Sequence, residues 1–172
     1  MFDQLPFGLE QYIFTLIPDW IFIYLPIITI VLVVLLWRYR CSVLLASYTI
    51  LLLCHTVIFR YVSEGAECQF IPFGKLITAD QISSDTWWEV ALNVVLFIPI
   101  GILLTCLLGK DKWKLAIGVG ALMSFVIELL QLILKRGMCE TDDVIFNTLG
   151  CGIGMGIVAA ISMCFKKKEI KA

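Results

Sequence analysis

The chain has 172 residues and a formal net charge of −1; 60% of its residues are hydrophobic and only 16% are charged. Soluble domains are typically about half apolar and about a quarter charged, and a chain of this length has too little interior to bury the excess. The composition therefore predicts an integral membrane protein. It excludes intrinsic disorder, a soluble α/β enzyme and a domain with a nucleic-acid partner. Because the apolar runs are continuous rather than alternating, we expect helices and not a β-barrel.

Five segments are long and apolar enough to cross a bilayer as helices. A spanning helix needs roughly 20 mostly apolar residues at about 1.5 Å per residue. Tryptophans lie at or near several of the segment ends, which is typical of the membrane interface. We therefore predict one all-α membrane domain over residues 1–172, built as a bundle of about five transmembrane helices. The predicted spans are residues 20–37, 43–61, 88–108, 113–134 and 144–165.

The basic residues predict the orientation of the bundle. Most of them lie between spans one and two, between spans three and four, and in the C-terminal tail, whereas most acidic residues lie on the other side. Basic loops favour the cytoplasmic face, so we predict that the N-terminus is outside and the C-terminus is cytoplasmic. No Lys or Arg precedes Arg38, so we expect no cleavable signal peptide. The basic residues of the predicted cytoplasmic side are Arg38, Arg40, Lys110, Lys112, Lys114, Lys166, Lys167, Lys168 and Lys171.

One connection is long, and it joins spans two and three on the predicted outer side. Its centre, residues 70–77, is apolar but interrupted by Pro72 and Gly74. This stretch is too short to span, so we expect it to lie along the interface or to dip into the bundle. Cys68 in this loop and Cys139 before span five both fall in outer connections, where a disulfide between them is feasible.

Polar residues within the predicted spans are concentrated near the outer ends. Ionisable groups are costly inside a membrane, so each one is a candidate functional residue. Glu128 lies about 9 Å below the outer end of span four, and Gln131 lies on the same helix face. Eight residues converge on the extracytoplasmic third of the predicted bundle: Arg60, Asn93, Glu128, Gln131, Arg136, Asp142, Asp143 and Asn147.

Three interpretations of this polar cluster are open. Its carboxylates and arginines could form a buried ion-pair network that fixes the helix register. They could instead bind a ligand, with the arginines on a phosphate or carboxylate and with Glu128, Asp142 and Asp143 holding a divalent cation. A carboxylate could also act as a base in phosphoryl or glycosyl transfer, although the sequence shows no nucleophile paired with a base.

The start of span five has a simpler explanation beside the functional one. Acidic residues in the first turn of a helix interact favourably with its dipole, and Thr141 is a suitable N-cap. We expect one of Asp142 and Asp143 to serve the helix end and the other to face the cluster. His55, the sole histidine, lies in span two, where a hydrogen bond within the bundle is expected rather than a metal.

Glycines recur at every second position within span five. They form two overlapping Gly-x-x-x-Gly pairs, a spacing that lets helices approach closely. We therefore expect this helix to pack tightly against another helix of the bundle. The glycines are Gly150, Gly152, Gly154 and Gly156.

Four short motifs over residues 60–156 follow one another in a fixed order. They are Arg60 with a later Ile71-Pro72-Phe73, Asn93-Val-Val-Leu-Phe97-Ile-Pro99-Ile-Gly101, Glu128-Leu-Leu-Gln131 with Arg136, and Asp142-Asp143 with Asn147 and Gly150. This order resembles the VanZ-like family, which usually has an asparagine shortly before the Pro-Phe pair, where this chain has Gln69. The resemblance implies a small protein of the bacterial cytoplasmic membrane that contributes to glycopeptide resistance, in particular to teicoplanin.

On this resemblance we expect a protein that acts at the outer leaflet. It would bind or modify a membrane lipid or a lipid-linked envelope component, or keep a lipoglycopeptide from its target. Because teicoplanin carries an acyl chain and vancomycin has none, an action in the membrane predicts stronger protection against teicoplanin. One alternative is an intramembrane enzyme on the head group of a lipid-linked precursor or phospholipid, and another is a structural protein that binds partners. The one-sided placement of polar residues argues against a transporter.

Overall fold

A computed structural model describes residues 21–35, 39–58, 68–73 and 84–169 of the chain. Within these ranges α-helices account for most residues, and two very short strands pair with each other. The elements in chain order are α1 (Ile21–Leu35), α2 (Arg40–Leu53), β1 (Cys68–Gln69), α3 (Ser84–Leu108), α4 (Trp113–Ile133), β2 (Cys139–Glu140) and α5 (Thr141–Glu169). A π-helical turn, Cys54–Ile58, continues α2, and a 3₁₀ turn, Lys110–Lys112, joins α3 to α4.

Four of the helical segments are long and apolar enough to cross a membrane. They are Arg40–Ile58, Thr86–Leu108, Lys110–Ile133 and Thr141–Cys164, and α1 adds a shorter apolar helix of 15 residues. The predicted all-α membrane bundle with about five spans is confirmed, whereas its orientation stays a prediction. Three of the helices begin earlier than predicted: α2 at Arg40 instead of residue 43, α3 at Ser84 instead of residue 88, and α5 at Thr141 instead of residue 144. In α3 and α5, polar residues of types favoured in a first turn extend the helix beyond the apolar run.

The apolar side chains divide between a small core and a large outer surface. The core is formed where α3 faces α4 and α5, and Phe97, Ile100 and Cys151 are almost completely buried there. Large apolar side chains such as Leu122 and Phe125 of α4 are more than half exposed. Exposed apolar surface of this extent is costly in water but not in lipid, so the packing agrees with the composition.

Helices α3 and α5 are packed so closely that their backbones touch. A Cβ atom added to Gly150 would lie 2.1 Å from the carbonyl oxygen of Val94, and one added to Gly154 would lie 2.1 Å from that of Ile98. A Cβ atom on Gly152 would meet nothing within 4 Å. The prediction of close helix packing is therefore confirmed for one of the two glycine pairs, whose partner is α3.

Four helix ends meet at one end of the bundle, where α2 and α4 end and α3 and α5 begin. The two strands lie at the same end and run parallel, with Cys68 opposite Cys139 and Gln69 opposite Glu140. This strand pair was not predicted from the sequence. It places the described part of the long loop, residues 68–73, against the start of α5, where the rings of Phe73 and Phe146 meet edge to face at 6.2 Å.

Alanine substitutions in α5 test the backbone contact. We expect Gly150→Ala to lower the free energy of unfolding by about 1–3 kcal/mol, because the new methyl group would overlap a carbonyl that cannot move aside. Gly152→Ala is the matched control, and it should be neutral or gain up to about 1 kcal/mol from better helix propensity. Thermal unfolding in detergent, followed by circular dichroism, gives the comparison. Equal midpoints for the two variants would contradict the close contact.

Candidate functional site

A cavity of about 350 Å³ lies at the end of the bundle where the four helix ends meet. Apolar side chains such as Phe97 and Ile127 form part of its wall, and polar side chains form the rest. Five of the eight residues predicted from the sequence line this cavity. The polar lining residues are His55, Thr56, Glu89, Asn93, Glu128, Gln131, Asp143 and Asn147.

Glu128 is held in this wall by the backbone of β2. It lies five residues before the end of α4, about 7.5 Å along the helix, and only 2% of it is exposed. Its Oε2 accepts a hydrogen bond of 3.0 Å from the amide of Glu140. Glu140 was not among the predicted site residues, yet it is 3% exposed and its backbone positions Glu128.

Gln131 connects α4 to the last turn of α2. Its Nε2 donates a hydrogen bond of 3.0 Å to the carbonyl of Thr56, and the last carbonyls of a helix have no partner within that helix. Because a carbonyl can only accept, this bond fixes which end of the amide is the nitrogen. The other end, Oε1, is then an acceptor, and it is buried with no hydrogen-bond partner within the described residues.

The turn after α4 directs Arg136 back toward α2. The amide of Lys135 donates to the carbonyl of Leu132, and that of Arg136 donates to the carbonyl of Gln131. This is the pattern of a Schellman motif, with Lys135 at a φ of 52° where glycine is usual. Arg136 Nη1 then donates to the carbonyl of Ile58 at 3.3 Å. A cation at a helix C-terminus is favourable, so Arg136 serves the end of α2 and does not line the cavity.

The two aspartates at the start of α5 have different surroundings. Asp143 lines the cavity, whereas Asp142 Oδ1 accepts a hydrogen bond from the amide of Phe73 in the long loop. Asp142 therefore holds the Pro-Phe turn against α5. Both side chains are more than nine-tenths buried.

Asn147 and Ser124 join α5 to α4 one turn deeper. Asn147 Nδ2 donates a hydrogen bond of 2.8 Å to Ser124 Oγ, and Asn147 Oδ1 is buried with no partner among the residues described. The sequence analysis missed Ser124, although its spacing from Glu128 and Gln131 places all three on one helix face. Asn93 of α3 lines the cavity from the opposite side and is half-buried.

The described residues provide neither the predicted divalent-cation site nor the predicted pair of arginines for an anionic ligand. Arg60 lies outside the described residues. Within the described ranges no group of three His, Cys, Asp or Glu side chains could hold a metal ion, so the divalent cation considered for Glu128, Asp142 and Asp143 has no site there. The predicted pairing of two arginines with an anionic ligand is likewise reduced to Arg136, which binds the end of α2.

The cavity is better suited to hydrogen-bond donors than to an anion. Its lining contains the carboxylates of Glu89, Glu128 and Asp143 and the acceptor oxygens of Gln131 and Asn147. A buried acceptor without a donor costs about 1–3 kcal/mol, and a ligand that brings a donor recovers that cost. Hydroxyl and ammonium groups are such donors.

Two cysteines lie opposite each other in the strand pair, Cys68 in β1 and Cys139 in β2. The thiols of Cys68 and Cys139 are close enough to hydrogen-bond. Burial raises the pKa of the Cys139 thiol to about 11, and the contact with Cys68 and the negative charges of Glu128 and Asp143 act in the same direction. A thiolate at Cys139 is therefore strongly disfavoured at neutral pH.

The fold and the cavity define a small helical membrane protein with a buried polar site at one end of its bundle. The sequence profile of the family described as VanZ/LLP1 matches residues 22–162, and the chain belongs to this family. The match includes all the motifs of residues 60–156 and extends over α1 and most of α5. No curated protein and no solved structure gives a significant match.

Substitutions at Glu128 test its bond to β2. Glu128→Ala leaves the buried amide of Glu140 without an acceptor, which costs about 1–3 kcal/mol of unfolding free energy. Glu128→Gln keeps an oxygen in reach, so its thermal midpoint in detergent should stay closer to that of the parent. An alanine variant as stable as the parent would show that this hydrogen bond contributes nothing.

The alkylation rate of Cys139 should report its raised pKa. Iodoacetamide reacts with the thiolate, and an ordinary thiol ionises near pH 8.5. In reduced, folded protein we expect Cys139 to react at least about 100-fold more slowly at about pH 8 than in the denatured chain, and faster at every step toward pH 11. Mass spectrometry of the Cys139 peptide measures both rates. A folded-state rate that levels off near pH 9 would refute the raised pKa.

Proposed function

We propose that this protein lies in the bacterial cytoplasmic membrane and contributes to glycopeptide resistance, above all to teicoplanin. In this proposal its cavity binds the head group of a membrane lipid or of a lipid-linked envelope component. One observation carries the proposal: an apolar bundle encloses a cavity with acidic side chains and with two buried acceptor oxygens, Gln131 Oε1 and Asn147 Oδ1, that have no hydrogen-bond partner in the part of the chain that the structure describes. Buried polar groups in a membrane protein are costly, so a ligand is a reason to keep them.

Access to the cavity from the surface of the bundle supports a lipid ligand. Leu92 and Glu89 of α3 both line the cavity, and both are exposed, Leu92 by 54%. Val95, three residues after Leu92 and therefore on the same helix face, is also exposed. A head group could enter beside Leu92 while its acyl chain stays in lipid along this apolar face.

The lining favours head groups that carry hydrogen-bond donors. Gln131 Oε1 and Asn147 Oδ1 can accept hydrogen bonds from sugar hydroxyls or from an ammonium group, and the carboxylates of Glu128 and Asp143 favour a cation. Phosphate alone would bring negative charge to these carboxylates, which is unfavourable at short range. The ligand class we propose is therefore a hydroxyl-bearing or amine-bearing lipid head group.

Binding at the membrane surface would make the protection selective. Teicoplanin carries an acyl chain and vancomycin has none, so only teicoplanin reaches its target by way of the lipid surface. A protein that occupies or shields a lipid-linked component at that surface then hinders teicoplanin more than vancomycin. The protection depends on a filled cavity and not only on the presence of the bundle.

Antibiotic susceptibility tests the proposal. A sensitive Gram-positive host would express the parent chain, Glu128→Gln, Asp143→Asn or an empty vector, with membrane levels matched by immunoblot. We expect the parent to raise the minimum inhibitory concentration of teicoplanin several-fold, with little change for vancomycin. Both variants should return it to the vector level, because each removes a negative charge from the cavity wall.

The matched control is Asp111→Asn, the same chemical change at an exposed residue in the 3₁₀ turn between α3 and α4. This turn lies at the opposite end of α4 from Glu128, and the variant should protect as well as the parent. Protection that survives both cavity substitutions would reject the cavity as the site of action. No protection by the well-expressed parent would reject the resistance role itself.

A further inference from the structure

The two short strands place two cysteines directly opposite each other. Cys68 and Cys139 are register partners in the parallel pair β1–β2. Neighbouring strands lie about 4.8 Å apart, which is within the range of about 4.4–6.8 Å between the Cα atoms of disulfide-bonded residues. The two thiols also approach within hydrogen-bonding reach of each other. Little movement separates this arrangement from a covalent bond.

We propose that Cys68 and Cys139 form a disulfide bond that fastens the long loop to the strand before α5. Both residues fall on the side of the bundle that the basic residues predict to be extracytoplasmic, where disulfides form and persist. Neither residue lies within the membrane-spanning segments. This inference does not depend on the proposed ligand or on antibiotic resistance.

The oxidant is a disulfide outside the cytoplasm, either of a small molecule or of a thiol–disulfide oxidoreductase. The sulfur of Cys68 loses its proton, attacks one sulfur of that disulfide and releases the other sulfur as a thiol. The sulfur of Cys139 then loses its proton and attacks the Cys68 sulfur, which releases the second external thiol. The two cysteines are oxidised, the external disulfide is reduced to two thiols, and these thiols hold the two protons. Cys68 attacks first because the Cys139 thiol is held protonated beside Glu128 and Asp143.

The disulfide would stabilise one wall of the cavity. Residues on either side of the two cysteines contact the polar cluster, since the amide of Phe73 binds Asp142 and the amide of Glu140 binds Glu128. The bond from Phe73 to Asp142 depends on the loop staying beside β2 and the start of α5. A covalent bond at Cys68 keeps the loop there even when the short strands separate.

The chain contains its own control at the other end of the bundle. Cys41 near the start of α2 and Cys106 near the end of α3 also lie within hydrogen-bonding reach of each other. This second pair is on the predicted cytoplasmic side, where thiols are kept reduced. The two pairs lie on opposite predicted sides of the membrane, so we expect their oxidation states to differ.

The experiment uses the full chain in intact cells. Cells expressing the protein are incubated with oxidised glutathione, which does not cross the membrane, and are lysed in denaturing detergent with N-ethylmaleimide. Of the seven cysteines, we expect five to carry the label in the intact mass and all seven to carry it after reduction. Tandem mass spectrometry should identify one cross-linked peptide pair, which contains Cys68 and Cys139.

Two variants and one further measurement make the result decisive. Cys139→Ser should carry six labels before and after reduction, and Cys106→Ser should carry four before reduction and six after it. Reduction of the parent protein, which needs no substitution, should lower its thermal midpoint in detergent by several degrees and leave that of Cys139→Ser unchanged. Seven labels on the parent without reduction, or a cross-link between Cys41 and Cys106 instead, would overturn the proposal.

Discussion

The bundle is organised by the need to pair polar backbone groups at helix ends with partners inside the protein. Lipid offers no hydrogen bonds, and the ends of α2, α4 and α5 that meet at the cavity are joined by side chains. Gln131 and Arg136 bind carbonyls at the end of α2, and Glu128 binds the amide of Glu140 just before α5. These bonds fix the positions of three helices relative to one another. Gln131 and Asn147 also line the cavity between these helices, and Gln131 Oε1 and Asn147 Oδ1 have no hydrogen-bond partner among the described residues.

This arrangement reconciles two interpretations that the sequence left open. A structural network and a ligand site can share a side chain when one of its polar atoms bonds to the fold and another faces the cavity. Arg136 and Asp142 make structural contacts, since Arg136 donates to the carbonyl of Ile58 in the last turn of α2 and Asp142 accepts from the amide of Phe73 in the long loop. Asp143 and Asn93 face the cavity, and Gln131 does both. Substitutions in the cluster therefore fall into two groups, those that loosen the bundle and those that change the cavity, and only the second group tests function.

Predictions from the sequence were most accurate for features of the structure that a single physical rule determines. The apolar runs predicted the helices because length and hydropathy settle membrane insertion, and the motif order predicted the family. The polar ends of the predicted spans converged because consecutive spans alternate in direction, so Asn93, Glu128 and Asp143 had to meet. The strand pair and the roles of Ser124 and Glu140 were missed. Strands of two residues have no periodicity to detect, and a buried serine or glutamate is recognisable only once its neighbour across the bundle is known.

The backbone contact between α3 and α5 makes the walls of the cavity unequal. The carbonyl groups of Val94 and Ile98 lie directly against Gly150 and Gly154, so α3 and α5 behave as one rigid unit. Helix α2 packs Leu52 and Val57 into the same core and is joined to the bundle by the Tyr48 hydroxyl on the carbonyl of Leu96 and by the side-chain bonds to its last turn. Glu89 and Leu92, two exposed residues of the cavity wall, belong to α3. The proposed entrance beside Leu92 is therefore built on the pair of helices with the least freedom to move apart.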